Sequence, residues 1–298
     1  MKIQVQSILF NNSFDHITRA LYSLGRSSEL AITAGVISAV HVSLGDCSSS
    51  PCLSTSQIQE LTRACAHQLT VQYTFFNENL GSARGHNRLA QGSDADYFLI
   101  QNPDVVVSPR LLEQLVKPFA RPSVGMVEAK QLPIEHPKAY DPVTGETDWA
   151  TTACALIPGP LFRQLDGFDA DSFFLYCDDV DFSWRVRLAG LKVIFNASAV
   201  VFHDKRLSDS GAWMPSGSEH YYSAEAAMLL AHKWSRSDLA DAIQEWMANH
   251  GDDSQKKAAA EYSRRKLEGK LVPSLDPSHK IGKFLEGGGA YTKHRYPL

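Results

Sequence analysis

Three carboxylates fall within four positions at Asp178-Asp179-Val180-Asp181. Held together they repel, which raises the pKa of at least one unless a cation or metal compensates. The aromatic run Phe173-Phe174-Leu175-Tyr176 precedes them, so the cluster is expected at the mouth of a partly apolar cleft. A carboxylate poised there can take a proton from an attacking hydroxyl. The same residues would also suit a helix N-terminus, where the dipole favours acidic side chains, and the pattern alone leaves both readings open.

Three other groups could act with this cluster. Asn102-Pro103-Asp104 follows an apolar stretch, Tyr97 to Ile100. An aspartate there can hold Mg²⁺ or Mn²⁺, hard cations that bridge phosphate oxygens, or the motif can be an ordinary Asn-Pro turn. The segment Asn77-Glu78-Asn79-Leu80-Gly81-Ser82-Ala83-Arg84-Gly85-His86-Asn87 combines small residues with a helix start. Such a loop lets a ligand approach the backbone and suits an anion, although it lacks the Gly-Lys-Ser/Thr ending of the kinase and ATPase phosphate loop. His203 closes a β-rich run; a lone histidine there is usually structural, but it is a candidate metal or phosphate ligand.

The elements that must position these groups alternate. Gln4 to Phe10 predicts a strand, and Ile17, Ala20, Leu21 and Leu24 repeat at helical spacing, with Gly25 able to end that helix. Val36 to Val42 predicts a second strand, followed by the turn-rich Gly45–Pro51. Ser56 with Gln59 fits a capping box before the helical face of Ile58, Leu61, Cys65 and Leu69. Val71, Tyr73 and Phe75 alternate as a strand, and Ser108-Pro109 fits a helix start. Residues Gln131 to Trp149 are expected as an excursion or hairpin, Asp166 to Asp169 as a turn, Asp181 to Leu188 as a helix with Gly190 behind it, and Leu191 to Phe202 as strand.

After Ser218 the pattern is helical, including a basic stretch from Lys256 to Lys270 and a loose tail at Gly287-Gly288-Gly289. Alternating strands and helices argue for an α/β fold with a mostly parallel sheet, covered by helices on both faces. Ligands in such sheets bind at the carboxyl ends of the strands, where Asp46 and Asp104 are both expected.

Taken in order, these motifs resemble the family 2 glycosyltransferases of the GT-A fold, in particular the rhamnosyltransferase-like bacterial branch. The resemblance runs from about residue 3 to 235. Ser7 to Asn12 resembles the opening strand motif, and Gly45-Asp46-Cys47-Ser48 the motif whose aspartate contacts the nucleobase or ribose. Asn79-Leu80-Gly81 through Asn87 resembles an Asn-x-Gly…Asn loop, and Asn102-Pro103-Asp104 stands where many relatives carry Asp-x-Asp. Gly167-Phe168-Asp169 and Asp178-Asp179-Val180-Asp181 resemble Gly-Gly-Phe-Asp and Glu-Asp-x-Asp motifs.

What the resemblance implies is a GT-A catalytic domain over 1–218 and a helical C-terminal region and tail over 219–298. It implies an inverting transfer of a sugar, rhamnose by analogy with the branch, from a nucleotide-diphosphate sugar to a glycan or lipid-linked glycan hydroxyl. Asp179 would be the base, with Asp178, which stands where the family carries Glu, as the neighbouring candidate. Asp104 and His203 would hold Mg²⁺ or Mn²⁺, while Asn11, Asp46, Asn79, Gly81, Asn87 and Asn102 would bind the nucleotide sugar. Trp184 and Arg185 would support the acidic helix. The alternatives are a nucleotide-sugar or glycan-binding module without catalysis, against which an intact base argues, and a nucleotidyltransferase. The latter needs a Gly-rich basic loop near the start that Asn11-Asn12-Ser13 does not supply.

Bulk properties agree. The 298 residues carry a formal net charge of −4, with 44% hydrophobic and 21% charged side chains, which argues against general nucleic-acid binding. The five cysteines, Cys47, Cys52, Cys65, Cys154 and Cys177, have neither zinc nor redox spacing and are expected to be reduced thiols. With no signal peptide or spanning apolar run in view, the expected location is the cytoplasm. The basic C-terminal stretch raises peripheral contact with anionic lipid at the inner membrane face as a further expectation.

Overall fold

A computed structural model of the protein describes residues 1–135, 138–203 and 217–284. The chain begins with β1 (Lys2–Leu9), α1 (Phe14–Thr33), β2 (Ala39–Asp46), α2 (Thr55–Cys65), β3 (Thr70–Phe75), α3 (Gly81–Ala90) and β4 (Tyr97–Gln101). There follow β5 (Val105–Val107), α4 (Leu111–Val116), β6 (Val124–Leu132), β7 (Glu146–Thr147), β8 (Cys154–Pro158) and α5 (Gly159–Gln164). Last come α6 (Asp178–Leu188), β9 (Lys192–His203), α7 (Gly217–Lys233), α8 (Ser237–His250) and α9 (Asp253–Leu267).

One sheet runs in the order β3-β2-β1-β4-β8-β6-β9-β5, with β7 added beside β9. β1 is parallel to β2 and β4, and β2 to β3. β8 is antiparallel to both β4 and β6, so β6 and its parallel neighbour β9 point the same way as β4. Six strands therefore end on one edge of the sheet, and that edge carries Phe10, Asp46, Gln101 and His203. β1 is buried along nearly its whole length, as expected of a strand covered on both faces.

Local readings shift in several places, and β2 runs on to Asp46, inside the stretch expected as turn. α1 runs through Gly25, because its buried face continues to Ser28 and Ala31 and the Ser28 hydroxyl donates to the Gln68 carbonyl at 2.6 Å. The strand expected at Val36–Val42 is β2, starting at Ala39, since Val36 and Ile37 close the end of α1 by donating to the Ala31 carbonyl. The capping box before α2 is Ser54 with Gln57, two residues earlier than Ser56 with Gln59. α4 begins at Leu111, with Ser108-Pro109 making the turn before it. The excursion between β6 and β8 is anchored by Lys138, whose ammonium contacts the buried Glu128 carboxylate and lies 4.2 Å from the Trp149 ring centroid.

The C-terminal helices share a core with the sheet domain. Apolar side chains of α7, α8 and α9 pack in one cluster with Trp149, Phe173, Cys177, Val180 and Trp184. The basic stretch is largely neutralised: Arg264 pairs with Glu261 and Glu268, Arg265 with Glu225 and Glu261, Lys266 with Asp241 and Lys270 with Glu268. Gly287–Gly289 lie outside the described residues. No helix among those described is long and apolar enough to cross a membrane. All five cysteines are free thiols. Burial pushes Cys47 and Cys65 upward and Cys52 to about 12, the reverse of what a reactive thiolate needs.

Candidate active site

At the β1 and β2 end, Leu9 and Asp46 are register partners, so the loops after them lie side by side. Phe10 is 54% exposed there. Asn11 is left-handed, and its amide donates to the Ser48 hydroxyl at 2.8 Å. The Asp46 carboxylate is buried and accepts from the Ser48 amide at 2.9 Å, the Cys52 amide at 2.8 Å and the Tyr73 hydroxyl. Burial raises its pKa, but these hydrogen bonds prevail and hold it below the usual carboxylate range. Asp46 thus orders the loop above it.

The start of α3 is welded to the start of α6. The Asn79 side chain accepts from the Gly81 amide at 3.2 Å. Gly81 has φ +67°, and a Cβ there would stand 2.3 Å from the Phe174 carbonyl oxygen, so only glycine fits. Ser82 donates its amide to that carbonyl at 2.9 Å and its hydroxyl to Asp178 Oδ2 at 2.8 Å. Asn87 spends both amide groups on the Phe168 backbone, accepting at 2.8 Å and donating at 2.7 Å. It clamps the Gly167-Phe168 turn.

α6 starts at Asp178, three residues before the expected Asp181, and its entry is strained. Tyr176 and Cys177 are left-handed, with φ 65° and 56°. Non-glycine residues hold that conformation only where the surroundings enforce it, at about 1–3 kcal/mol each. Here Cys177 is fully buried and its carbonyl accepts the Asp181 amide at 2.8 Å. Asp178 and Asp179 follow in the first turn, both buried, and Asp179 Oδ1 accepts the Val180 amide at 2.8 Å.

Asp181 is a brace. It accepts from Arg185 Nε at 2.8 Å, Trp234 Nε1 at 3.0 Å and Lys233 Nζ at 2.8 Å. Lys233 also reaches Asp169 at 2.7 Å. The repulsion expected across the acidic run is therefore relieved by two cations at Asp181. Asp181→Asn should cost about 3–5 kcal/mol, the usual scale for breaking a buried pair. Urea unfolding should show a lower midpoint at unchanged slope, and a shift no larger than that of an exposed substitution would refute the brace.

On the other side of the edge, Val105 of β5 registers with His203 of β9. That register brings Asp104 Oδ1 to 3.5 Å from His203 Nε2, and Asn102 Nδ2 to 3.5 Å from the same nitrogen. The other ring nitrogen, Nδ1, lies 2.7 Å from Gln131 Oε1. With Oε1 accepting, Nδ1 carries a proton, and the tautomer protonated there alone presents an Nε2 lone pair on the side of the Asp104 carboxylate. In that tautomer the nitrogen and the carboxylate oxygen, 3.5 Å apart, could share a divalent cation. Among the described residues no group of three or more His, Cys, Asp and Glu gathers for a metal, so the remaining ligands would be water and substrate oxygens.

No protein-family profile matches the chain. It is 27% identical over 153 residues to the O-antigen biosynthesis protein RfbC of Myxococcus xanthus, covering 41% of this chain and 12% of that protein. Among solved structures it is similar to the mannosyltransferase PcManGT from Pyrobaculum calidifontis in complex with GDP-Man and Mn²⁺. That match has a TM-score of 0.54 and 17% identity, over 89% of this chain and 80% of the other. GalNAc-T7 with UDP, GalNAc and Mn²⁺ matches with a TM-score of 0.58 and 12% identity, over 92% of this chain and 59% of that one. S. aureus TarS matches with a TM-score of 0.53 and 15% identity, over 86% and 45%. The chain has the GT-A fold.

Within this GT-A sheet, residue types alone missed three participants. Phe10 lies in the Ser7–Asn12 segment but was not singled out there, yet it stands exposed beside the Asp46 loop. Gln131 lies in β6 with no chemical motif around it and becomes the partner of His203. Lys233, near the end of α7, is buried against two aspartates of the GT-A domain. A lysine closing an apolar helical run was the signal for the last, the Ser7–Asn12 motif for Phe10, and nothing marked Gln131.

Proposed function

We propose that the protein is a glycosyltransferase that moves a sugar from a nucleoside-diphosphate sugar to a glycan hydroxyl with inversion. The observation that carries this is the opposition of Asp104 and His203 on the same sheet edge as the buried Asp178-Asp179 pair. Phe10 offers a flat apolar face for a nucleobase, and the Asn11 and Asp46 loops shape the walls around it. A divalent ion held by Asp104 and His203 would offset the charge of the departing diphosphate. One imidazole among the ligands favours Mn²⁺ over Mg²⁺, in keeping with the Mn²⁺ named for two of the similar structures.

Asp179 takes the proton of the acceptor hydroxyl, and Asp178, tied to Ser82, sets the α3–α6 contact. Asn102 stands against His203, and Asn79 and Gly81 shape the α3 entry. The deciding experiment is calorimetric titration with UDP-, GDP- and dTDP-sugars, with and without Mn²⁺, followed by an acceptor screen. At least one donor should bind in a Mn²⁺-dependent way; indifference to all of them would refute the reading.

Gln131 fixes the ring of His203. Its replacement by Ala should weaken Mn²⁺ binding to the donor-loaded protein by about 10–100-fold, the scale for a lost partner of a metal-ligating histidine. Mn²⁺ titration followed by electron paramagnetic resonance reads this without turnover, and an unchanged affinity would remove Gln131 from the site.

A further inference from the structure

A polar cavity of about 220 Å³ lies between the start of α3, the segment before α6, and α9. Its walls include Glu78, Asn79 and Arg84 on one side, Asp171 and Phe174 on another, and Arg265 from α9. The Phe174 ring is held by stacking on Tyr222, with centroids 4.6 Å apart. The cavity is smaller than the roughly 300–1,000 Å³ of pockets for drug-sized ligands, and suits a single ring.

The charges select the ligand. Arg84 lies 3.5 Å from Asp171, and Arg265 lies 3.1 Å from both Glu225 and Glu261. Both guanidinium groups are thus balanced by carboxylates, whereas Glu78 makes no ion pair among the described residues. A phosphate or carboxylate ligand would find no uncompensated cation and would meet Glu78. A neutral polyol fits, because each hydroxyl both donates and accepts, and the walls set acceptors (Glu78, Asp171) beside donors (Arg84, Arg265, Asn79). Phe174 supplies an apolar face for ring carbons.

Position then selects the role. Its Phe174 wall is joined to the acidic helix start: the Phe174 carbonyl accepts the Ser82 amide, and the Ser82 hydroxyl donates to Asp178. In an inverting transfer the attacking hydroxyl approaches opposite the departing diphosphate, so the nucleophile belongs on the carboxylate side of the site, away from Asp104 and His203. We propose that this cavity seats one neutral pyranose ring of the acceptor glycan. The proposal rests on the glycosyltransferase reading.

The test is saturation-transfer NMR on the full chain with methyl glycosides of neutral hexoses and a methyl hexuronide. Each is measured with and without nucleoside diphosphate and Mn²⁺. At least one neutral hexoside should bind, bind more tightly than the hexuronide, and remain bound when nucleotide is added. Glu78→Ala and Asp171→Ala remove exposed carboxylates and should leave the fold intact. Each should weaken hexoside binding by about 10-fold, the scale of a hydrogen bond to a charged group. No hexoside binding, indifference to both substitutions, preference for the hexuronide, or displacement by the nucleoside diphosphate each overturns the assignment. Nucleotide binding without hexoside binding overturns the cavity alone; absence of any Mn²⁺-dependent nucleotide binding overturns the underlying reading.

Discussion

Asp179→Asn is expected to lower turnover by about 10²-fold or more, the usual scale for a lost acid–base group, while donor affinity stays close to that of the unaltered protein. The amide keeps the shape of the carboxylate and the hydrogen bond from the Val180 amide, so the helix start should survive. Asp178→Asn should behave differently. Asp178 accepts the Ser82 hydroxyl and thereby joins α6 to α3, whose first turn follows the Asn79-Leu80-Gly81 loop proposed for the donor side. Its loss should disturb donor affinity together with turnover. Single-turnover rates and donor titrations on both variants separate the two roles. Near-normal turnover in Asp179→Asn with abolition in Asp178→Asn would move the base by one residue. Normal turnover in both would end the mechanism.

That two neighbouring aspartates can be told apart only in three dimensions shows where residue patterns stop. Apolar runs located the strands before Asp104 and His203, but the second strand, expected to end at Val42, instead runs through His41 and Ser43 to Asp46, inside the stretch expected as turn. They could not give the β5–β9 register, and it is this register that brings Asp104 to His203. Ser54 with Gln57 and Ser56 with Gln59 have the same spacing, and only packing chose the first. Asp46 and Asn87 were recognisable as special, but not that internal hydrogen bonds absorb their polar atoms. The left-handed Tyr176 and Cys177 are illegible in principle, since neither residue type favours that conformation and only the surrounding core imposes it.

Asp104→Asn should weaken nucleotide-sugar binding by on the order of 10²-fold in the presence of Mn²⁺, since a bound cation stabilises diphosphate charge by several kcal/mol. In chelator the variant and the unaltered protein should bind alike. His203→Ala should reproduce that pattern, although imidazole and carboxylate differ in charge, and one closes β9 while the other lies in the turn before β5. The reason is that both are expected to act through one ion. Two residues that share a single ligand are not independent, so the double variant should lose little more than the worse single one. The coupling should be large with Mn²⁺ and vanish with chelator. A direct Asp104–His203 contact, at 3.5 Å in the structure, would instead couple the two residues equally under both conditions. Calorimetric titration of the four proteins with and without Mn²⁺ distinguishes these cases. A coupling indifferent to metal would reduce the pair to a structural contact, and full donor affinity in Asp104→Asn with Mn²⁺ present would take the cation away from this edge of the sheet.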